Sequence, residues 1–202
     1  MSTTVDAAYG RVTIRGVAGR DGELRERLLR AAAQLLDAGG VESVTIREVA
    51  RRAEVSHGAP RRYFPTRALL LATLAQGGFT ELVRALDGLD GGEAPARQLV
   101  RAGQVYLALA RSRPALFDLM TRHDLLEGSG VDLRNSSLPA LSRWHDLVKA
   151  ARPHATWQDS LLLFAAVHGI AALHSHNALD LIGQDPAALV DLLLDAPPAL
   201  RS

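Results

Sequence analysis

Nowhere along this chain do apolar and polar residues keep up a sustained alternation with the period of two that a half-buried strand requires. Where a period is visible it is helical, and alanine and leucine far outnumber β-branched residues. The chain is therefore expected to be all-α. With 202 residues it has room for one domain, or a small domain joined to a larger one. Its 48% hydrophobic and 22% charged residues are ordinary for a soluble globular protein. The absence of cysteine excludes a disulfide framework and thiolate metal ligation, and fits a reducing cytoplasm. No apolar leader and no apolar run of about 18 residues is present, so a cytoplasmic protein without a membrane partner is expected.

Capping and breaking residues divide the chain into helices. Residues 1–20 carry glycines and Arg11, Arg15 and Arg20 without periodicity, and read as a mobile arm. A first helix over about 21–38 aligns Leu24, Leu28, Ala31, Ala32 and Leu35, and "AGGV" at 38–41 ends it. Thr45 opens a short helix with Glu48 three residues on, a capping box, and Ile46, Val49, Ala50 and Ala53 form its buried stripe. Ser56 reads as the N-cap of a very short helix running to about Tyr63. Thr66 caps a long fourth helix to about Leu86, interrupted by Gly77 and Gly78, which allow either close packing on the first helix or a hinge.

"DGLDGGEAP" at 87–95 is the clearest linker. Beyond it five helices are expected, at about 95–112, 114–121, 138–151, 156–181 and 186–195, for about nine in all. The expected division is an arm at 1–20, a head at 21–86 including the linking helix, and a helical body at 95–202.

Charge separates the two ends. Residues 1–67 hold 12 arginines against 8 acids, a balance of +4, whereas 68–202 carry −3. That polarity points the N-terminal end at a polyanion. The donors concentrate in "EVSHGAPRRYFPTR" at 54–67. A capped helix, a tight turn at 53–55 and a second short helix make a helix-turn-helix, whose second helix enters the major groove of DNA. Only there are all four base pairs distinguishable by their donors and acceptors. Since the stripe of the first of these helices faces its own core, His57, Arg61, Arg62 and Tyr63 project from the second toward base edges. Gly58 and Ala59 are small enough for close approach, and Ala59 suits a thymine methyl.

The stretch "LLRAAAQLLDAGGVESVTIREVARRAEVSHGAPRRYFPTRALLLATL" resembles the DNA-binding domain of the TetR family of bacterial transcriptional regulators over about 23–83. The shared elements are the alanine-glycine break, the Thr-capped helix, valine-serine, a short helix ending in phenylalanine, and a basic residue opening helix four. The resemblance implies that Thr45 binds a backbone phosphate, that helix three supplies His57, Gly58, Ala59, Arg61, Arg62 and Tyr63, that Arg67 is the basic phosphate-binding residue, and that Phe64 is a core anchor. Arg47, on the preceding helix, is a further candidate contact. The sequence departs from the pattern at Glu54, where glycine is usual, at Pro60, and at Arg61, where tyrosine is common. "YLALARSRPALFDLMTRHD" and "VHGIAAL" resemble a sub-branch with a tryptophan- or valine-histidine-glycine motif in a ligand-receiving C-terminal domain.

The family resemblance implies a homodimer through the last two long helices, placed at about 157–181 and 186–195, which sets two reading helices on the half-sites of a palindromic operator in double-stranded DNA. It also implies a small hydrophobic effector, for which Tyr106, Phe117, Met120, Trp144, Phe164 and His168 are the candidate contacts, being large or polar residues on faces of small ones. They serve equally well as core filling. No metal or cofactor is expected: His174 and His176 diverge by about 160° on a helix, and none of the histidines of the helical body belongs to a His-x-x-x-His or Glu-x-x-His pair. No nucleophile elbow, P-loop or dinucleotide fingerprint is present, so no catalytic residue is assigned. The function expected is a DNA-binding regulator, a repressor released by its effector. The alternatives are an enzyme working in the helical bundle and a DNA-binding protein without effector control.

Overall fold

The computed structural model of the protein describes residues 20–89, 92–132 and 134–195, and among them every regular element is helical. The arm expected at 1–20, with Arg11 and Arg15, lies outside these residues except for the backbone of Arg20. Ten α-helices and one 3-10 turn are present among the described residues, one more α-helix than the nine expected, and no strand. No helix among them is long and apolar enough to cross a membrane. The chain gathers into two compact units, one containing 20–80 and 115–136, the other 81–114 and 137–195.

The first unit is built on α1 (Arg20–Ser43), whose buried face includes Leu28, Ala31, Ala32, Leu35 and Leu36. Its helical geometry breaks at the glycine pair: Gly40 has φ 67° and ψ −172°, a backbone region essentially confined to glycine. Thr45 then caps α2 (Ile46–Arg52), its Oγ1 accepting the Glu48 N–H at 3.2 Å. The capping box is half closed, because the Glu48 carboxylate turns to Arg51 Nε at 2.8 Å. Val49 and Ala50 of α2 are fully buried.

The end of α2 is a Schellman motif. The Val55 N–H donates to the Ala50 carbonyl at 3.0 Å and the Glu54 N–H to that of Arg51 at 3.2 Å, with Glu54 at φ 54°. The helix-turn-helix corner thus uses the left-handed conformation with glutamate in the place suited to glycine. Next comes α3 (Ala59–Tyr63). It starts later than expected and is not capped by Ser56. Gly58 is the N-cap, without a side-chain bond, while the Ser56 carbonyl accepts the Ala59 N–H at 3.0 Å in the preceding turn. Pro60 accounts for the shift, since its fixed φ and missing N–H suit only the first turn of a helix. The Pro60 ring is buried, as is Phe64, with the Arg25 guanidinium 5.5 Å from the Phe64 ring centroid.

Thr66 caps α4 (Arg67–Asp87), accepting the Leu69 N–H at 3.1 Å, and α4 runs unbroken through Gly77 and Gly78. Gly78 packs on α6 (Pro114–Thr121) rather than on α1: an added Cβ would lie 2.6 Å from Met120 Sδ and 3.3 Å from Leu116 Cδ2. A short α7 (His123–Leu126), not foreseen, follows α6.

The second unit contains α5 (Pro95–Ser112), α8 (Arg134–Ala151) from residue 137 onward, α9 (Trp157–Ser175), a 3-10 turn (Asp180–Ile182) and α10 (Pro186–Asp195), with α5, α9 and α10 packed on one another. Two boundaries differ from expectation. Helix α8 begins at Arg134 rather than 138, because the Asp132 carboxylate accepts the Arg134 N–H at 3.0 Å and the Asn135 amide at 2.9 Å. Helix α9 stops at Ser175 rather than 181. A second Schellman motif ends it, with Asn177 at φ 57°, Ala178 N–H donating to Leu173 at 2.9 Å and Asn177 N–H to His174 at 3.1 Å. The last turns of α4 join this unit through two ion pairs, Glu81 with Arg113 at 3.5 Å and Asp87 with Arg143 at 3.1 Å.

Glu54→Gly relieves a left-handed cost of about 1–2 kcal/mol and gives back about 0.4–1 kcal/mol through a freer unfolded chain. The expected outcome is a head more stable by about 0.5–1 kcal/mol in chemical denaturation; an unchanged or lower midpoint contradicts it.

Candidate nucleic-acid interface

The buried side of the α2–α3 pair determines what its other side presents. Val49, Ala50, Ala53, Pro60 and Phe64 are buried, so Arg47, His57, Gly58, Arg61 and Arg62 are exposed. Thr45, Ala59, Tyr63 and Arg67 are half-buried. All nine candidate residues lie in the first unit, on α2, α3, their connecting turn and the start of α4.

Six of these residues fall into three groups by their present engagements. Among the described residues the side chains of Arg47, His57 and Arg61 meet no hydrogen-bond or ion-pair partner, and they carry donors available to an incoming one. Arg62 and Tyr63 are held by one carboxylate: Asp21 accepts Arg62 Nη2 through Oδ2 at 3.0 Å and the Tyr63 hydroxyl through Oδ1 at 3.0 Å. The Tyr63 phenol is held above its ordinary value by desolvation and by the neighbouring Asp21 charge. Arg67 is tied to the chain between α1 and α2, its Nε donating to the Val44 carbonyl at 2.8 Å and Nη2 to that of Val41 at 2.6 Å, with Glu42 at 3.5 Å. Two of its donors therefore fasten the start of α4 to the segment that positions Thr45.

Thr45 uses its hydroxyl oxygen as acceptor for the cap, which leaves the hydroxyl proton to donate outward. Of the nearby cations Arg51 is paired with the Glu48 carboxylate, while Arg52 keeps its charge and donates its Nε to the Gln34 amide oxygen at 2.9 Å. Sequence reasoning missed Asp21 altogether. An acid in the first turn of a helix is most simply read as a partner of the helix dipole, and its 41-residue separation from Arg62 carries no local signal.

In the second unit four of the six candidate effector residues meet. Tyr106 OH and His168 Nδ1 share a hydrogen bond of 3.0 Å, and Phe164 stands 5.5 Å from Tyr106, 6.1 Å from His168 and 6.2 Å from Trp144 between ring centroids. Burial pushes the Tyr106 phenol far above its ordinary value, so it remains protonated. Trp144 Nε1 donates to the Ser160 carbonyl at 2.9 Å, linking α8 to α9. Phe117 and Met120 are buried in the first unit instead, on α6. Among the described residues no cluster of three or more His, Cys, Asp or Glu has the arrangement of a metal site.

Residues 28–74 match the family described as "Bacterial regulatory proteins, tetR family", and residues 99–196 match "Tetracyclin repressor-like, C-terminal domain". The HTH-type transcriptional repressor KstR of Mycolicibacterium smegmatis is 35% identical over 102 residues, 50% of this chain and 50% of that protein. The chain thus spans about half the length of the curated relatives it matches. A protein of unknown function from Rhodococcus sp. RHA1 shares the fold with TM-score 0.74 and 27% identity, over 85% of this chain and 92% of that one. A TetR transcriptional regulator from Streptomyces coelicolor does so with TM-score 0.59 and 26% identity, over 87% and 99%.

Tyr106→Phe removes the phenol that bonds His168 and leaves the ring packing in place. The expected cost is about 0.5–1.5 kcal/mol in denaturant unfolding; no loss contradicts a net contribution from this bond.

Proposed function

The chain belongs to the TetR family of bacterial regulatory proteins, and on that premise we propose that it is a homodimeric transcriptional repressor that leaves its operator when a small hydrophobic effector binds. The observation that carries the reading is the outward face of α3. Exposed Arg61 and Arg62 stand on a helix whose opposite side is anchored by Pro60 and Phe64, and exposed His57 sits in the turn just before it. In this reading His57, Gly58, Ala59, Arg61, Arg62 and Tyr63 meet base edges and phosphates in the major groove. Thr45, Arg47 and Arg67 face the backbone and fix the register.

A second copy of the chain supplies the symmetry that a palindromic operator needs. Helix α9 supports the placement of that contact at about 157–181 and 186–195. It leaves Leu162 64% exposed and Leu173 49% exposed on a face with exposed Ala165, Ala166 and Gly169. Small residues between two leucines allow a partner helix to approach closely. Leu192 of α10, 72% exposed, extends the apolar surface.

The effector site is placed at the cluster of Tyr106, Trp144, Phe164 and His168, where apolar rings surround one polar pair. Effector and operator each favour a different arrangement of the dimer. Each then weakens the binding of the other by the same coupling free energy.

Arg61→Ala combined with Arg62→Ala lowers operator affinity roughly tenfold to thousandfold at fixed salt while leaving the dimer intact. Gel-shift titration measures this, and unchanged specific binding contradicts the role of α3. Leu162→Glu with Leu173→Glu yields a monomer in sedimentation velocity; a persisting dimer places the contact elsewhere.

A further inference from the structure

Asp21 stands in the first turn of α1 and uses both carboxylate oxygens on successive residues of α3, one for Arg62 Nη2 at 3.0 Å and one for the Tyr63 hydroxyl at 3.0 Å. The Arg62 guanidinium carbon also lies 5.8 Å from the Tyr63 ring centroid, so the three groups form one cluster. A doubly used anionic acceptor facing a guanidinium and a phenol offers what a pair of DNA phosphate oxygens would offer to the same donors. On the basis of the DNA-binding reading above, we propose that Asp21 is an internal stand-in for a DNA phosphate, holding Arg62 and Tyr63 in the free protein and surrendering them to the backbone on binding.

The energetics suit an exchange. The Asp21–Arg62 pair is open to solvent, with side-chain exposures of 68% and 71%, so water screens it and it can be broken at little cost. Phosphates attract the same guanidinium with the added drive of counterion release. Among the described residues Arg47, His57 and Arg61 have no such carboxylate partner, so Asp21 tempers only part of the surface. Its effect is to lower affinity for DNA of any sequence, because every duplex presents phosphates. Asp21 also leaves Arg62 and Tyr63 in a fixed position before DNA arrives.

The test compares Asp21→Asn with Glu23→Gln in the full chain, binding a random-sequence duplex at fixed low salt. Glu23 lies in the same turn and is exposed, so its substitution makes the same charge change without touching Arg62. Asp21→Asn is expected to tighten binding roughly twofold to fivefold beyond Glu23→Gln, and the excess should vanish when both are repeated with Arg62→Ala. Equal effects of the two substitutions, weaker binding by Asp21→Asn, or an excess that survives Arg62→Ala overturn the proposal. Arg62→Ala alone separates this from the premise. If it weakens binding, the DNA reading stands whatever Asp21 does; if it has no effect, that reading fails and the proposal falls with it.

Discussion

Burial of Phe64 and Pro60 against the core of the first unit is the constraint on which the functional surface depends. Phe64 lies directly after the last residue of α3 and Pro60 on its first turn, so the short helix is held at both ends by the same side. A five-residue helix has too few hydrogen bonds to persist by itself. Its orientation is therefore set by these two apolar groups and by the Schellman corner that delivers the chain from α2. With that side committed, Arg61 and Arg62 have no interior to enter. A guanidinium is costly to bury unpaired, so solubility and recognition favour the same orientation.

What was legible in the sequence was what residues decide locally. Gly39-Gly40, Thr45, Thr66 and Pro186 each act on a backbone within four residues, and the helices they start or stop lie where these signals put them. Asn177 is the instructive miss. Asparagine tolerates the left-handed conformation that ends a helix, yet in "HSHNALDLIG" it is flanked by apolar residues at helical spacing, and that periodicity masks the stop. Asp132 hid in the same way, in a polar loop with several candidate caps.

The site was legible in its charges and positions but not in its partnerships. Arg67 reads as a phosphate ligand because it opens α4, whereas two of its donors go to the Val44 and Val41 carbonyls more than twenty residues away. Asp21 is given no role by the sequence, and in the structure it grips α3. Both depend on tertiary approach, which no spacing rule encodes. In the second unit, Phe164 and His168 lie one turn apart on α9, and the structure joins them to Tyr106 and Trp144 from α5 and α8. Helix α9 shows why a nearly uniform apolar composition hides direction. Val167 and Ala171 face the protein's own core while Leu162 and Leu173 remain open, and the residue types alone do not distinguish the two sides.

The central claim is that α3 and its flanks are the surface through which this chain meets DNA. Amide hydrogen exchange of the full chain, with and without a short duplex at low salt, tests it most directly. The account predicts added protection across residues 45–67, centred on α3, with little direct change along the exposed face of α9. Protection confined to the second unit, or none anywhere while the duplex is bound, would contradict it.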